Sequence, residues 1–136
     1  MPDHPLEPSL DEESAKCLQK GLDEFNSGRY FECHDTLEEI WQGIRGSSRD
    51  FFQGLIQISV GFYHIRNGNL RGGESQLSKG LRNLSGYGAC YLGVQLAVLR
   101  LDAEVWLQRI RAGTIADGPL PEPPRIRLVP PTAPCR

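Results

Sequence analysis

The sequence predicts an all-α fold: a compact bundle of about five helices, built from two antiparallel helical hairpins plus a C-terminal helix. Three observations predict it. Apolar residues recur at helical spacing from Ala15 to Ile110. The breaks between these periodic stretches, around Gly28, Gly43 to Gly46 and Gly68, are short, and short connections make neighbouring helices antiparallel. The chain also echoes itself forty residues on: Gly28 meets Gly68, Phe25 meets Ile65, Tyr30 meets Leu70, Leu37 meets Leu77 and Trp41 meets Leu81.

Taken in order, residues 1–8 hold three prolines and no periodicity, so they read as a flexible lead to a helical domain over 9–113. Ser9 and Glu12 have the spacing of a capping box, in which hydroxyl and carboxylate each take a free N–H. The first helix then runs to Asn26 with Ala15, Leu18, Leu22 and Phe25 as its inner face. Gly28 suits the left-handed turn that ends a helix, and a second helix follows from Arg29 to Gln42. Its stripe is Tyr30, Cys33, His34, Leu37, Ile40 and Trp41, so a histidine falls inside an apolar face. The third helix, Arg49 to Asn67, is apolar on two sides and therefore central, yet it carries Gln53, Gln57 and His64 along one line. Gly54 and Gly61 each cost about 1 kcal/mol of helix propensity, which a close-packed neighbour would offset. Asn69 can cap a fourth helix with the face Leu70, Gly73, Leu77, Leu81 and Leu84. Residues 85–90 read as a loop, and Leu92, Leu96, Leu99, Ala103, Trp106 and Ile110 support a last helix from Gly93 to Ala112. From Pro119 onward prolines dominate, so 114–136 reads as an extended tail, with Ile126 and Leu128 able to lie against the bundle. The echo is similar to the helical hairpin of TPR-like solenoids, but two units fall short of a stable array, so a closed bundle is preferred.

Composition narrows the function classes. A chain of 136 residues, 39% hydrophobic and 24% charged, suits one domain that buries about two thirds of its unfolded surface. Its formal charge of −2 lacks the basic excess that phosphate backbones demand, so no nucleic-acid partner is expected. No apolar run reaches membrane-spanning length, and the N-terminus lacks a signal-peptide pattern, so a soluble cytoplasmic protein is expected, with no membrane partner. Cys17, Cys33, Cys90 and Cys135 are widely spaced without a CxxC pair, which points to reduced thiols rather than a zinc ribbon.

The candidate chemistry lies where the second and third helices face each other. Antiparallel pairing about residue 46 sets His34 opposite Ser59 and Glu38 opposite Leu55, at about 1.5 Å of rise per residue. Gln53 and Gln57 then come within reach of Glu38, while Asp35 and Glu39 point away into solvent. Candidate ligand-binding residues are therefore His34, Glu38, Gln53, Gln57 and His64, with Arg49 placed to close over them or to cap a helix. The favoured expectation is a binding or scaffold module in which this buried polar network is chiefly structural and lines a small-ligand or anion pocket. On that reading there is no cofactor, no catalytic residue and no metal ligand. The alternative is a metal-assisted or acid–base hydrolase using His34 and Glu38, because a shielded carboxylate beside histidine can relay protons or hold a metal. Di-metal bundles supply further carboxylates where the third helix has glutamines, which counts against it. Cys33 points elsewhere than His34 and is a poor nucleophile candidate. Arg71, Ser75, Ser78 and Arg82 form a second stripe that, with Arg66 and Lys79, reads as a solvated basic face rather than a phosphate site. The partner is expected to be a small polar ligand or a protein, and an oligomer is left open.

The run FNSGRYFECH, the pattern LEEIW and the tetrapeptide GLIQ, beginning at Phe25, Leu37 and Gly54, resemble the bacterial and archaeal family known as domain of unknown function 309. The resemblance covers Cys17 to Ile110. It implies a small all-helical bundle and no assigned reaction. The family's H-E-x-L-E pattern falls on His34, Asp35, Leu37 and Glu38, with Asp35 standing where glutamate is usual.

Overall fold

A computed structural model describes residues 10–116, 118 and 120–129. The expected flexible lead, Ser9 and the end of the tail lie outside these. The all-α expectation holds. Five helices follow in order, α1 (Glu12–Asn26), α2 (Tyr30–Gly43), α3 (Arg49–Arg66), α4 (Leu70–Leu84) and α5 (Leu96–Arg111), with a 3₁₀ turn at Gly46–Ser48. Each helix packs on the next one in the chain, α3 most extensively on α4.

The cap of α1 differs from expectation. Asp11 is the N-cap, its Oδ1 accepting from Ser14 N at 2.6 Å, so Glu12 is the first helical residue rather than the far member of a capping box. That hydrogen bond holds the Asp11 carboxyl below the usual carboxylate range. The reason lies in electrostatics: Asp11, Glu12 and Glu13 crowd acids onto the positive end of the helix dipole, which favours starting there.

The sequence echo is a structural one at the helix ends. Gly28 and Gly68 both adopt left-handed backbone, at φ 79° and 82°. Arg29 N donates to Glu24 O and Gly28 N to Phe25 O, while Asn69 N donates to His64 O and Gly68 N to Ile65 O. These are Schellman closures, repeated forty residues apart, and they turn α1 into α2 and α3 into α4 alike.

The close approach expected at Gly54 and Gly61 comes from α4. A Cβ on Gly54 would sit 2.7 Å from Leu84 Cγ, and one on Gly61 2.8 Å from Leu77 Cδ2. The partner helix contributes Gly80, whose Cβ would stand 2.9 Å from Gly54 O. Contacts pairing 54 with 80 and 84, and 61 with 77, fix α3 and α4 as antiparallel.

The last helix begins three residues later than the periodicity suggested. Cys90–Tyr91 (β1) and Val94–Gln95 (β2) form a minimal antiparallel hairpin, pairing Cys90 with Gln95 and Tyr91 with Val94. Leu92 and Gly93 both have positive φ, 50° and 80°, the combination a two-residue type I′ turn requires. Residues 120–129 then return to the bundle: Val94 bridges Leu128, Gln95 N donates to Arg127 O, and Ile126 is 1% exposed.

The core runs through all five helices. Phe25, Tyr30, Phe62 and Trp106 stack edge to face or tilted at its centre, with centroids 5.1 to 6.1 Å apart. The expectation of reduced thiols holds for two of the three described cysteines and fails for the third: Cys17 and Cys33 are free, but Cys90 is disulfide-bonded. Wide spacing in sequence carries no information about distance in space, which is why the spacing argument missed it. Among the described residues no helix is long and apolar enough to cross a membrane.

Candidate functional site

The second helix buries Tyr30, Cys33, Thr36, Leu37 and Ile40. His34 lies at the rim of that face, its side chain 21% exposed, rather than deep within it. Its Nε2 is 3.2 Å from Glu38 Oε2, the i to i+4 pair the spacing predicts. Its Nδ1 is 3.2 Å from Asp35 Oδ1. That Nδ1 is shut off from solvent and has no hydrogen bond, so the Asp35 contact is close without being aligned. Asp35 was expected to point away. Instead its short side chain folds back on the adjacent imidazole, and His34, Asp35 and Glu38 each present one ligand atom within 4.8 Å of the others. The two carboxylates remain well exposed, Glu38 at 40% and Asp35 at 59%.

The amide of Gln57 on α3 is engaged elsewhere. Gln57 Oε1 accepts from Asn83 Nδ2 at 2.6 Å, which ties α3 to α4. Among the described residues no hydrogen bond links Gln53 or Gln57 to His34 or Glu38. The expected reach from Gln57 to Glu38 is thus replaced by a bond to α4. His64 stands further along, its Nδ1 3.5 Å from Asn69 Nδ2. Between His34 and His64 runs a row of rings: Phe31 is 5.4 Å from His34, Tyr63 5.3 Å from Phe31, and His64 5.8 Å from Tyr63. Phe31 in that row is 49% exposed. Arg49 also departs from the polar cluster. Its Nη1 donates to Trp41 O at 3.2 Å and Ile44 O at 3.0 Å, and its guanidinium lies 4.0 Å from the Trp41 ring centroid. It thus caps the end of α2, where carbonyls lack helical partners.

The buried carboxylate of the core was not anticipated. Glu24, on α1, has a side chain only 6% exposed. Thr36 Oγ1 donates to its Oε1 at 2.6 Å, and Lys20 Nζ to its Oε2 at 3.0 Å. Gly21 makes this meeting feasible, since a Cβ there would strike Leu37 Cδ2 at 2.8 Å. The readable signal was a Lys20–Glu24 pair flanking a glycine on the inner face. Cys33 is fully buried, and burial pushes its thiol up to about 12, so it is no nucleophile at neutral pH.

The chemical capacity of the rim cluster follows from its donors. One imidazole nitrogen and two carboxylate oxygens suit a divalent ion such as borderline zinc or the harder manganese. Ligand atoms about 2 Å from a shared ion stand roughly 3 Å apart, so from their present spread of up to 4.8 Å the three side chains would have to close in around it.

These features define a small all-α bundle with a histidine–carboxylate cluster at the rim of its second helix. Residues 18–75 match the family model described as Domain of unknown function (DUF309), which is the family the motifs resemble. Over 65 residues the chain is 38% identical to "Uncharacterized protein YpuF" of Bacillus subtilis (strain 168), covering 46% of this chain and 37% of that relative. It is also 22% identical over 87 residues to "Uncharacterized protein" of Aquifex aeolicus (strain VF5), covering 63% of this chain and 26% of the relative. The chain therefore spans well under half the length of these relatives, and neither relative's name states a ligand or reaction.

Proposed function

We propose that the chain is a non-enzymatic helical binding module that takes a divalent cation on His34, Asp35 and Glu38. The observation that carries this reading is the convergence of three ligand atoms within 4.8 Å on a partly exposed rim. Three protein ligands leave coordination positions open, through which the ion can bind a small polar molecule or a partner's side chain. Exposed Phe31 beside His34 offers that partner an apolar contact. The remaining candidates have structural tasks: Gln57 ties α3 to α4 and Arg49 caps α2.

Titrating metal-free protein with zinc and with manganese, by calorimetry, tests this. One ion per chain is expected, with Glu38→Gln and Asp35→Asn each weakening binding on the order of tenfold or more, as loss of a metal ligand does. Binding unchanged in both variants would remove the reading. The hydrolase alternative draws on the same observation, since three ligands and an open position also describe catalytic zinc. It requires turnover of an ester or phosphoester by the loaded protein, lost in Glu38→Gln. The binding reading is preferred because the cluster consists of the three ligand residues themselves, and Gln57 of α3 is engaged with Asn83, whereas a hydrolytic centre needs a further acid or base beside the ion.

A further inference from the structure

The cleft between α4 and α5 collects positive charge in a chain whose formal charge is −2. Arg71, Lys79 and Arg82 line it from α4 and Arg111 from the last turn of α5, around a volume of about 320 Å³. The hydroxyl-bearing Ser75 and Ser78 lie between them, and Glu74 is the one carboxylate in the lining. Glu74 is already engaged, its Oε2 3.1 Å from Arg111 Nε, a contact that holds the α5 guanidinium over the α4 surface. Among the described residues, Arg71, Lys79 and Arg82 have no carboxylate at ion-pair distance.

An ordinary solvated helix face mixes its signs. The outer face of α1 does so, with Glu12, Glu13, Lys16, Lys20 and Asp23 interspersed. The α4 face instead sets three unneutralised cations on one stripe, and α5 brings a fourth toward them. Like charges gathered in a concave surface raise the local potential and the concentration of anions there. Arg71, Ser75, Ser78 and Arg82 follow each other at helical spacing, and from Arg71 to Arg82 the stripe extends about 16 Å. A single phosphate is too small to meet both ends. Guanidinium forks, an ammonium and hydroxyl donors are all groups that phosphate oxygens accept from.

We infer that the α4–α5 cleft binds a small molecule carrying two or more phosphate groups, neutralised by Arg71, Lys79, Arg82 and Arg111 with Ser75 and Ser78 donating between them. Three of the four cations lie outside the segment that matches the family model, and none belongs to the rim cluster on α2. The two sites are thus independent.

The test uses the full chain and inorganic tripolyphosphate in metal-free buffer near 0.15 M salt, with inorganic phosphate and a single-stranded RNA oligonucleotide as comparisons. Tripolyphosphate should bind at least tenfold more tightly than phosphate. The double variant Lys79→Gln, Arg82→Gln should weaken it on the order of tenfold and flatten its salt dependence. Both side chains are exposed, so thermal stability should stay as in the wild type. Arg125→Gln, an exposed cation outside the cleft lining, should change affinity less than twofold. Absence of tripolyphosphate binding at millimolar concentration, an equal loss with Arg125→Gln, or tighter binding of the RNA would each overturn the assignment. Glu38→Gln should bind tripolyphosphate as the wild type does, so failure at one site leaves the other standing.

Discussion

Cys33 lies with no exposure beside Ser59, and its thiol titrates in the folded chain at about 12 against an ordinary 9.0. The principal cause is desolvation of the thiolate, only partly opposed by the Ser59 hydrogen bond. The linkage has a definite sign. Below pH 9 both folded and unfolded chains keep the proton, and the contribution is fully present. Between 9 and 12 the unfolded chain releases it while the folded chain does not, so stability falls by up to about 1.4 kcal/mol per pH unit. Urea unfolding from pH 8 to 10.5 should therefore show a steeper alkaline loss in wild type than in Cys33→Val; equal slopes would contradict the burial argument. At this scale the sequence was partly legible. Helical spacing paired His34 with Glu38, because i and i+4 share a face. It missed Asp35, since periodicity fixes where a Cα–Cβ bond points but not where a short side chain folds back. It also missed Glu24, whose burial depends on Thr36 arriving from α2 through the space Gly21 leaves.

The helices themselves were legible to within a few residues because their signals are local: a Schellman glycine, an Asn69 cap, an apolar stripe. The β1–β2 hairpin was not, because two-residue strands are too short to show alternation and their turn uses a leucine at positive φ. Which face of α3 meets which neighbour was also hidden, since a helix apolar on two sides can take either antiparallel partner on either side. The glycines decide it. Gly54 and Gly80 let the α3 and α4 backbones approach until a Cβ on Gly80 would stand 2.9 Å from a carbonyl oxygen and 3.0 Å from Ile58. Backbone cannot yield as a flexible side chain does. Gly80→Ala gains about 1 kcal/mol in helix propensity but forces the helices apart at a cost of about 1–3 kcal/mol. A net loss of stability is expected, measured as a lower urea midpoint. Gly43→Ala, with nothing within 4 Å of its Cβ, should be neutral or stabilising by up to about 1 kcal/mol. If both substitutions stabilise equally, the close crossing does not exist in solution.

At the scale of the molecule, the proline-bearing segment after α5 closes the bundle by holding elements far apart in sequence. Asn26, at the end of α1, grips the backbone of Ile126 from both sides: its Nδ2 donates to Ile126 O at 2.9 Å and its Oδ1 accepts from Ile126 N at 2.8 Å. Trp106 Nε1 donates to Glu122 O at 3.3 Å, and Val129 N donates to Gly93 O at 2.7 Å. One segment thereby reaches α1, α5 and the hairpin turn. Ile126→Ala should cost about 2–4 kcal/mol through the cavity it leaves. Asn26→Ala should cost about 1–3 kcal/mol by stranding two backbone groups away from water. The decisive quantity is their sum. If residues 120–129 dock as one unit, either substitution loosens the segment, and the second then has less left to break. The double variant should accordingly lose less than the two single losses added, by at least about 0.5 kcal/mol in a urea double-mutant cycle. Strict additivity would mean that Ile126 and the Asn26 clamp act separately, and that the segment is held at points rather than seated as a whole.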